Sequence, residues 1–155
     1  MPEWVSPNLM TFIAFAFVVT AHAILYFDSD KFEYPSYSRY ALILFALFIF
    51  FYHIIDSSDG KQARKLKNST ALGMILDHGL DSISITLIFM PFGQILGMWD
   101  RIICVLIWFS SQGMYFMFHE EYFTHKFLVP GGGDETISII QVVAFITAFL
   151  NRDFW

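Results

Sequence analysis

The sequence predicts an all-α protein, a polytopic bundle of about five transmembrane helices, and three observations support that prediction. Hydrophobic residues make up 56% of the 155-residue chain and charged residues only 15%, well below the ~25% of an ordinary soluble domain. Long apolar runs recur along the chain, and most approach the ~20 residues that a helix needs to cross a bilayer. None of them alternates strictly between apolar and polar residues, as the strands of a membrane barrel do. We therefore expect a single helical membrane domain over residues 1–155.

The composition also excludes several other classes of protein. Aromatic residues account for 19% of the chain, whereas disordered chains are poor in aromatic residues and rich in charge. A disulfide scaffold is excluded because Cys104 is the only cysteine. The formal net charge of −5 is opposite in sign to the basic footprint of a nucleic-acid-binding protein, so we expect no nucleic-acid partner. An integral membrane protein is the class that remains.

The first two predicted spans cover residues 9–27 and residues 40–55. The first run is uncharged throughout. A secretory signal peptide is the alternative interpretation of it, but that requires a positively charged segment before the run, and the first residues carry only the acidic Glu3. The second run is short for a full span, so its helix is expected to continue into the polar residues that follow.

The remaining spans are predicted over residues 70–99, 101–123 and 135–150. The third of the five spans contains Asp77 and Asp81 within an otherwise apolar run. Residues 60–70 hold the densest group of cationic side chains in the chain, which predicts that this connection faces the cytosol or its topological equivalent.

Carboxylates at the adjoining ends of the second and third spans carry the functional prediction. Asp56 and Asp59 are three residues apart and Asp77 and Asp81 are four apart, so each pair shares one face of its helix. Folding the two helices against each other would bring all four carboxylates together. An ionisable side chain within the bilayer costs free energy, so one that is present there usually has a function. Hard oxygen ligands in this number suit Mg²⁺ or Mn²⁺, often bound with substrate phosphates, so the spacing predicts a divalent-metal phosphate site.

Small and cationic residues extend the same helix faces. Gly60 and Ala63 allow a ligand or another helix to approach the backbone closely, and Arg64 lies one turn after Gly60. Gly73 lies four residues before Asp77 on the third span. The alternative is a solvated helix end with Arg64 anchored to lipid headgroups. That alternative does not explain two carboxylates one turn apart inside an apolar run.

The spacing of these residues resembles the motif of a known family, the CDP-alcohol phosphotransferases, also called CDP-alcohol phosphatidyltransferases. Eight positions carry the resemblance: Asp56, Asp59, Gly60, Ala63, Arg64, Gly73, Asp77 and Asp81. The residues around them, DGKQARKLKNSTALGMILDHGLDS, resemble the eukaryotic aminoalcohol branch, the choline and ethanolamine phosphotransferases. Residues 4–11 (WVSPNLMT) resemble the start of that branch's first helix, and residues 26–30 (YFDSD) are closer to the ethanolamine type.

The resemblance implies a reaction and a set of residue roles. Members of this branch transfer phosphoethanolamine or phosphocholine from CDP-ethanolamine or CDP-choline to diacylglycerol in phospholipid biosynthesis, and they release CMP. The implied cofactor is Mg²⁺ or Mn²⁺, as a pair of ions without an organic cofactor, and the implied metal ligands are Asp56, Asp59, Asp77 and Asp81. The implied contacts to the CDP-alcohol are Asn8, Asp56, Gly60, Ala63, Arg64 and Gly73.

The acceptor hydroxyl needs a base, and two residues are candidates. Asp81 is the candidate that the family as a whole implies. In the aminoalcohol branch His78 competes with it, because it lies beside Asp77 and its side chain titrates near neutrality. His78 acting as the base and His78 orienting a carboxylate are equally good hypotheses.

The length of the chain leads to a second hypothesis. The family core has six helices and aminoalcohol members continue beyond it, so the chain is expected to be incomplete at both ends relative to the family. A catalytically weak or inactive accessory subunit of a larger membrane complex is therefore the alternative to an enzyme. The expected protein partner is a second copy of the chain, as a homodimer, or the other subunits of a larger membrane complex. The resemblance implies the endoplasmic reticulum or Golgi membrane, and the alternative is another organelle membrane, such as the mitochondrial inner membrane.

Overall fold

Five α-helices make up the regular structure of the described residues. The computed structural model describes residues 4–29, 37–67, 69–98, 100–124 and 133–150. The helices are α1 (Pro7–Asp28), α2 (Arg39–Lys65), α3 (Ala71–Ile95), α4 (Asp100–Thr124) and α5 (Gly133–Leu150). The described ranges contain no strand, and the predicted all-α architecture is confirmed. A single domain over residues 1–155 stays a prediction.

Hydroxyl side chains begin the first three helices. Ser6, Ser38 and Thr70 are N-cap residues with extended backbone. Each accepts a hydrogen bond from the amide three residues further on, at 3.3, 3.2 and 3.0 Å respectively. These bonds satisfy amide groups that the first turn of a helix leaves without a partner. Pro7 follows Ser6 at the start of α1, where its missing N–H removes no helical hydrogen bond.

The second helix extends beyond its apolar run, as predicted. α2 continues through the charged segment, and its last turn carries Arg64 and Lys65. Cations at this position interact favourably with the carbonyl end of the helix dipole. The chain then turns at Leu66 and Lys67, which has a positive φ of 50°, and α3 starts shortly after. This short connection keeps the two halves of the acidic motif at the same end of the bundle.

The third helix ends earlier than the predicted residue 99. Gly97 adopts a left-handed backbone with φ of 69°. The N–H of Met98 donates to the carbonyl of Gly93 at 2.9 Å, and the N–H of Gly97 donates to the carbonyl of Gln94 at 3.0 Å. This is the hydrogen-bond pattern of a glycine-terminated helix. The prediction rested on hydrophobicity, and it therefore extended to residue 99, past Gly97, the residue at which the helix stops.

The first helix lies against both helices of the acidic motif. α1 packs against α2 and α3, α2 also packs against α5, and α3 packs against α4 and α5. The backbones of α2 and α3 are not closely packed, so the two helices meet through their side chains, with α1 against both. Small residues on α1 let the neighbouring helices approach closely. Its buried apolar residues recur at helical spacing: Met10, Ala14, Val18, Ala21 and Leu25.

Three of the helices are long and apolar enough to cross a membrane, judged by length and composition: α1, α2 and α3. Within the described ranges α4 and α5 contribute shorter apolar stretches, Arg101–Ser110 and Thr136–Leu150, and their crossing of the membrane stays a prediction. Large apolar side chains such as Phe12, Val19 and Phe50 lie on the outer surface, where lipid would cover them. The chain is an integral membrane protein.

Candidate active site

Three carboxylates from two helices meet in the space between α2 and α3. Asp56 and Asp59 come from α2 and Asp77 comes from α3. One oxygen of each lies within 4.8 Å of the others. Asp59 is buried, and the other two are half-buried. The helical spacing accounts for the pairing of Asp56 with Asp59, whereas the position of Asp77 beside them depends on how α1 packs against α2 and α3.

The fourth predicted carboxylate lies against the same group. Asp81 follows Asp77 by one turn of α3, and its carboxyl lies close to that of Asp56. Its Oδ1 also accepts a hydrogen bond from the hydroxyl of Tyr52 at 3.3 Å. The structure thus brings all four carboxylates into one cluster.

The chemistry of this cluster fits a divalent cation. Carboxyl groups this close repel one another and have lost part of their hydration, and a bound cation would offset both effects. Carboxylate oxygens are the ligands that Mg²⁺ and Mn²⁺ prefer. Among the residues that the structure describes, Asp56, Asp59 and Asp77 are the only group of three or more Asp, Glu, His or Cys side chains brought this close together.

A cavity of about 360 Å³ opens beside the carboxylates, between α1, α2 and α3. Its volume is in the range of small-molecule sites. Most of the predicted site residues line it: Asn8, Asp59, Gly60, Ala63, Arg64, Gly73, Asp77 and His78. Asp56 and Asp81 do not line it, because each lies one turn further into the apolar part of its helix. The cavity therefore has acidic side chains on its wall and further carboxylates behind them.

The glycines of the motif keep this cavity open in different ways. A Cβ atom on Gly73 would lie 3.1 Å from Oδ1 of Asn8 and 3.2 Å from Oγ1 of Thr70, which is tighter than most contacts. Gly73 therefore lets α3 approach α1. A Cβ atom on Gly60 would lie 3.6 Å from Nη1 of Arg64, which is an ordinary contact. The main effect of Gly60 is to leave its backbone open to the cavity.

The two candidate bases occupy different places. His78 is half-buried on α3 and lines the cavity, next in sequence to Asp77. Asp81 is half-buried behind the cavity wall, where it accepts a hydrogen bond from Tyr52. The geometry therefore puts His78 nearer to a ligand in the cavity and Asp81 nearer to the apolar section of the bundle.

Two polar residues that contact the carboxylates were not predicted from the sequence. The buried hydroxyl of Thr11 donates to Oδ2 of Asp59 at 2.7 Å. The hydroxyl of Tyr52 donates to Oδ1 of Asp81 at 3.3 Å. Tyr52 had a local signal, because it lies four residues before Asp56 on the same helix face. Thr11 comes from α1, whose position the sequence does not reveal.

Fold and site together define an integral membrane protein with an acidic, cation-compatible cluster beside a ligand-sized cavity. The chain belongs to the CDP-alcohol phosphatidyltransferase family, whose model matches residues 4–154. The resemblance stated from the motif is confirmed.

Curated relatives belong to the aminoalcohol branch of that family. The chain is 33% identical to choline/ethanolaminephosphotransferase 1 of Arabidopsis thaliana, over 99% of this chain and 40% of the relative. It is 31% identical to ethanolaminephosphotransferase 1 of Homo sapiens, over 99% of this chain and 41% of the relative. It is 32% identical to cholinephosphotransferase 1 of Saccharomyces cerevisiae, over 94% of this chain and 37% of the relative. The chain thus spans about 40% of the length of these relatives.

Proposed function

We propose that this chain holds the active site of a divalent-metal-dependent transferase of phospholipid synthesis. The transferase moves phosphoethanolamine or phosphocholine from CDP-ethanolamine or CDP-choline to diacylglycerol and releases CMP. The observation that carries this proposal is the grouping of Asp56, Asp59 and Asp77, with oxygens within 4.8 Å of one another beside a cavity that the rest of the motif lines. The names of the relatives support the reaction class.

The CDP-alcohol is expected to bind in the cavity. Arg64 has an exposed side chain at the cavity, and a guanidinium group binds phosphate oxygens in a fixed, often bidentate geometry. Gly60 and Ala63 offer no large side chain on that wall, so the donor can approach the backbone of α2. Asn8 lies on the opposite wall, on α1, beside Gly73, and supplies a polar contact there.

The carboxylate cluster is expected to hold the metal. The ligands would be Asp56, Asp59, Asp77 and Asp81, and the ions Mg²⁺ or Mn²⁺, as a pair. When bound, divalent cations neutralise the pyrophosphate and polarise the phosphorus under attack. The role of the protein is to hold the donor and the carboxylates in place, because phosphoryl transfer depends mostly on positioning and charge.

In the proposed transfer the hydroxyl oxygen of diacylglycerol attacks the phosphorus that carries the aminoalcohol. A bond forms between that oxygen and the phosphorus, the bond from the phosphorus to the bridging oxygen breaks, and CMP leaves with the bridging oxygen. The hydroxyl proton passes to the carboxylate of Asp81 or to the imidazole of His78. The position of the cluster near the polar ends of α2 and α3 supports the proposal, because a water-soluble nucleotide and a bilayer-soluble alcohol can meet there.

The test is a transfer assay on the purified chain in lipid, with labelled CDP-ethanolamine or CDP-choline, diacylglycerol, and Mg²⁺ or Mn²⁺. We expect metal-dependent formation of labelled phospholipid together with CMP. The CDP-alcohol that gives the faster reaction identifies the head group that the transferase uses. D77N should abolish this activity. D28N is the matched control, because Asp28 is at the far end of α1, where it accepts hydrogen bonds from Ser38.

Two results would contradict the proposal. The first is an absence of lipid product from the folded chain with both donors. If a CDP-alcohol still protected the folded chain against heating, that result would favour an accessory subunit with a retained binding site. The second is an equal loss of activity in D28N and D77N.

From the resemblance we further infer a homodimer in the endoplasmic reticulum or Golgi membrane, which sizing in detergent and localisation of a tagged chain would test.

A further inference from the structure

The side chain of Thr11 makes a buried contact that its own helix does not require. Thr11 and Asp59 are each only 5% exposed. The hydroxyl of Thr11, on α1, donates a hydrogen bond to Oδ2 of Asp59, on α2, at 2.7 Å. The carbonyl oxygen of Pro7 lies 3.3 Å from the same hydroxyl. A hydroxyl has one proton to donate, and the carboxylate oxygen of Asp59 is the acceptor at the shorter distance.

A second threonine on the same helix shows the usual alternative. The hydroxyl of Thr20 donates to the carbonyl of Ala16, four residues earlier, at 2.7 Å. This bond to the preceding turn is the common way in which a helical threonine satisfies its hydroxyl. The Thr11 hydroxyl has the equivalent carbonyl, that of Pro7, within reach at the longer distance of 3.3 Å, and its shorter contact, 2.7 Å, is with the carboxylate of Asp59. Thr11 thus differs from Thr20 in that its closest acceptor belongs to a different helix.

The consequence for Asp59 is a restricted orientation. One of its two oxygens is held by a donor from a different helix, so the carboxylate cannot rotate freely. The loss of a donor that holds a metal-binding side chain in this way typically lowers metal affinity ~10–100-fold. Asp59 is in the group whose oxygens lie within 4.8 Å of one another.

We propose that Thr11 is a positioning residue for the divalent-cation site: its hydroxyl orients Asp59, so that α1 contributes to cation affinity although it supplies no carboxylate. This inference rests on the proposed function, because it assumes that the cluster binds a divalent cation. It goes beyond the family motif, which lies on α2 and α3 alone.

The experiment measures Mn²⁺ binding to the purified chain in lipid, without any CDP-alcohol, from the paramagnetic resonance signal of free Mn²⁺. We expect T11V to weaken Mn²⁺ binding roughly 10–100-fold, because valine has nearly the shape of threonine and no hydroxyl. T11S keeps the hydroxyl and should bind Mn²⁺ as the unmodified chain does. T20V removes a threonine hydroxyl from the same helix and should have no effect. If T11V does not fold, T11A takes its place in the comparison with T11S.

The outcomes separate this inference from the proposed function. Weaker binding in T11V, retained in T11S and T20V, supports the role of Thr11 even if no transfer activity is found. Mn²⁺ binding by T11V equal to that of the unmodified chain overturns the inference and leaves the transferase proposal intact. An equal loss in T20V also overturns it, because the effect would then be one of helix stability. An absence of Mn²⁺ binding by the unmodified chain, or binding that D77N leaves unchanged, overturns both.

Discussion

The hydroxyl of Tyr52, on α2, donates a hydrogen bond to Oδ1 of Asp81, on α3, over 3.3 Å. Tyr52 is only 4% exposed, so this bond lies in the interior, at the side of the carboxylate cluster that faces the apolar part of the bundle. Since α2 and α3 are not closely packed along their backbones, the bond is a direct link between them. It also holds one of the two candidate bases.

Y52F should lower kcat and leave KM for the CDP-alcohol unchanged, because Tyr52 contacts Asp81 but does not line the cavity. A hydrogen bond typically contributes ~0.5–1.5 kcal/mol net, and losing it corresponds to a decrease in kcat of roughly 2- to 10-fold. The measurement is the initial rate of phospholipid formation at varied donor concentration. The matched control is Y37F, which removes a tyrosine hydroxyl bonded to Gln94 at 2.7 Å. An equal loss of rate in Y37F would show that the effect is not specific to Asp81.

H78A and D81N should each lower kcat, and the variant that removes the base should lose about 100-fold or more, because a general base contributes roughly 10²- to 10⁴-fold. Measuring Mn²⁺ affinity on the same variants separates the possible roles. A residue that acts only as the base leaves that affinity unchanged, whereas a residue that orients or supplies a metal ligand lowers it. The control is H22N, because Nδ1 of His22 lies 3.0 Å from the carbonyl of Leu87, one to two turns beyond the cluster. Near-normal turnover in H78A or D81N would remove that residue from the candidates.

G73A should raise KM for the CDP-alcohol roughly 3- to 10-fold, because even a small displacement of a residue that positions the donor weakens the interaction. The added methyl group would lie 3.1 Å from Oδ1 of Asn8, so Asn8 must shift within the cavity wall. G79A is the control on the same helix, since nothing lies within 4 Å of its Cβ position. KM is measured in the transfer assay. Equal KM values for G73A and G79A would contradict a role of the close α1–α3 approach in donor binding.

G93A should destabilise the contact between α3 and α4. Its Cβ atom would lie 2.6 Å from Cγ1 and 3.0 Å from Cδ1 of Ile103, a buried side chain. Overpacking of this kind typically costs ~1–3 kcal/mol in the free energy of unfolding. Reversible denaturation in mild detergent measures it, with G113A as the control on α4, since nothing lies within 4 Å of that Cβ position.

The double variant G93A/I103A tests the cause of that destabilisation. If the clash with Ile103 is responsible, removing the larger side chain relieves it, and the double variant loses less stability than the two single variants added together. Strict additivity of the two losses would contradict a direct contact between these positions.

Much of the site could be predicted because helical periodicity is a local property. Spacings of three and four residues put Asp56 beside Asp59 and Asp77 beside Asp81, whatever the rest of the chain does. The continuation of α2 into the charged segment followed from the shortness of its apolar run. The early end of α3 had its own signal, Gly97, which the hydropathy of the run outweighed in the prediction.

Local patterns in the sequence were enough to predict the helices, their membrane class, the residues of the motif and the family to which the chain belongs. The packing of α1 against both α2 and α3, and the meeting of the carboxylates across the space between these two helices, became visible with the folded bundle. So did the contact of Thr11 with Asp59, 48 residues away, and the position of Asn8 beside Gly73. The cause of this division is that helix faces depend on neighbouring residues, whereas contacts between helices depend on how small and large side chains fit together across the whole bundle.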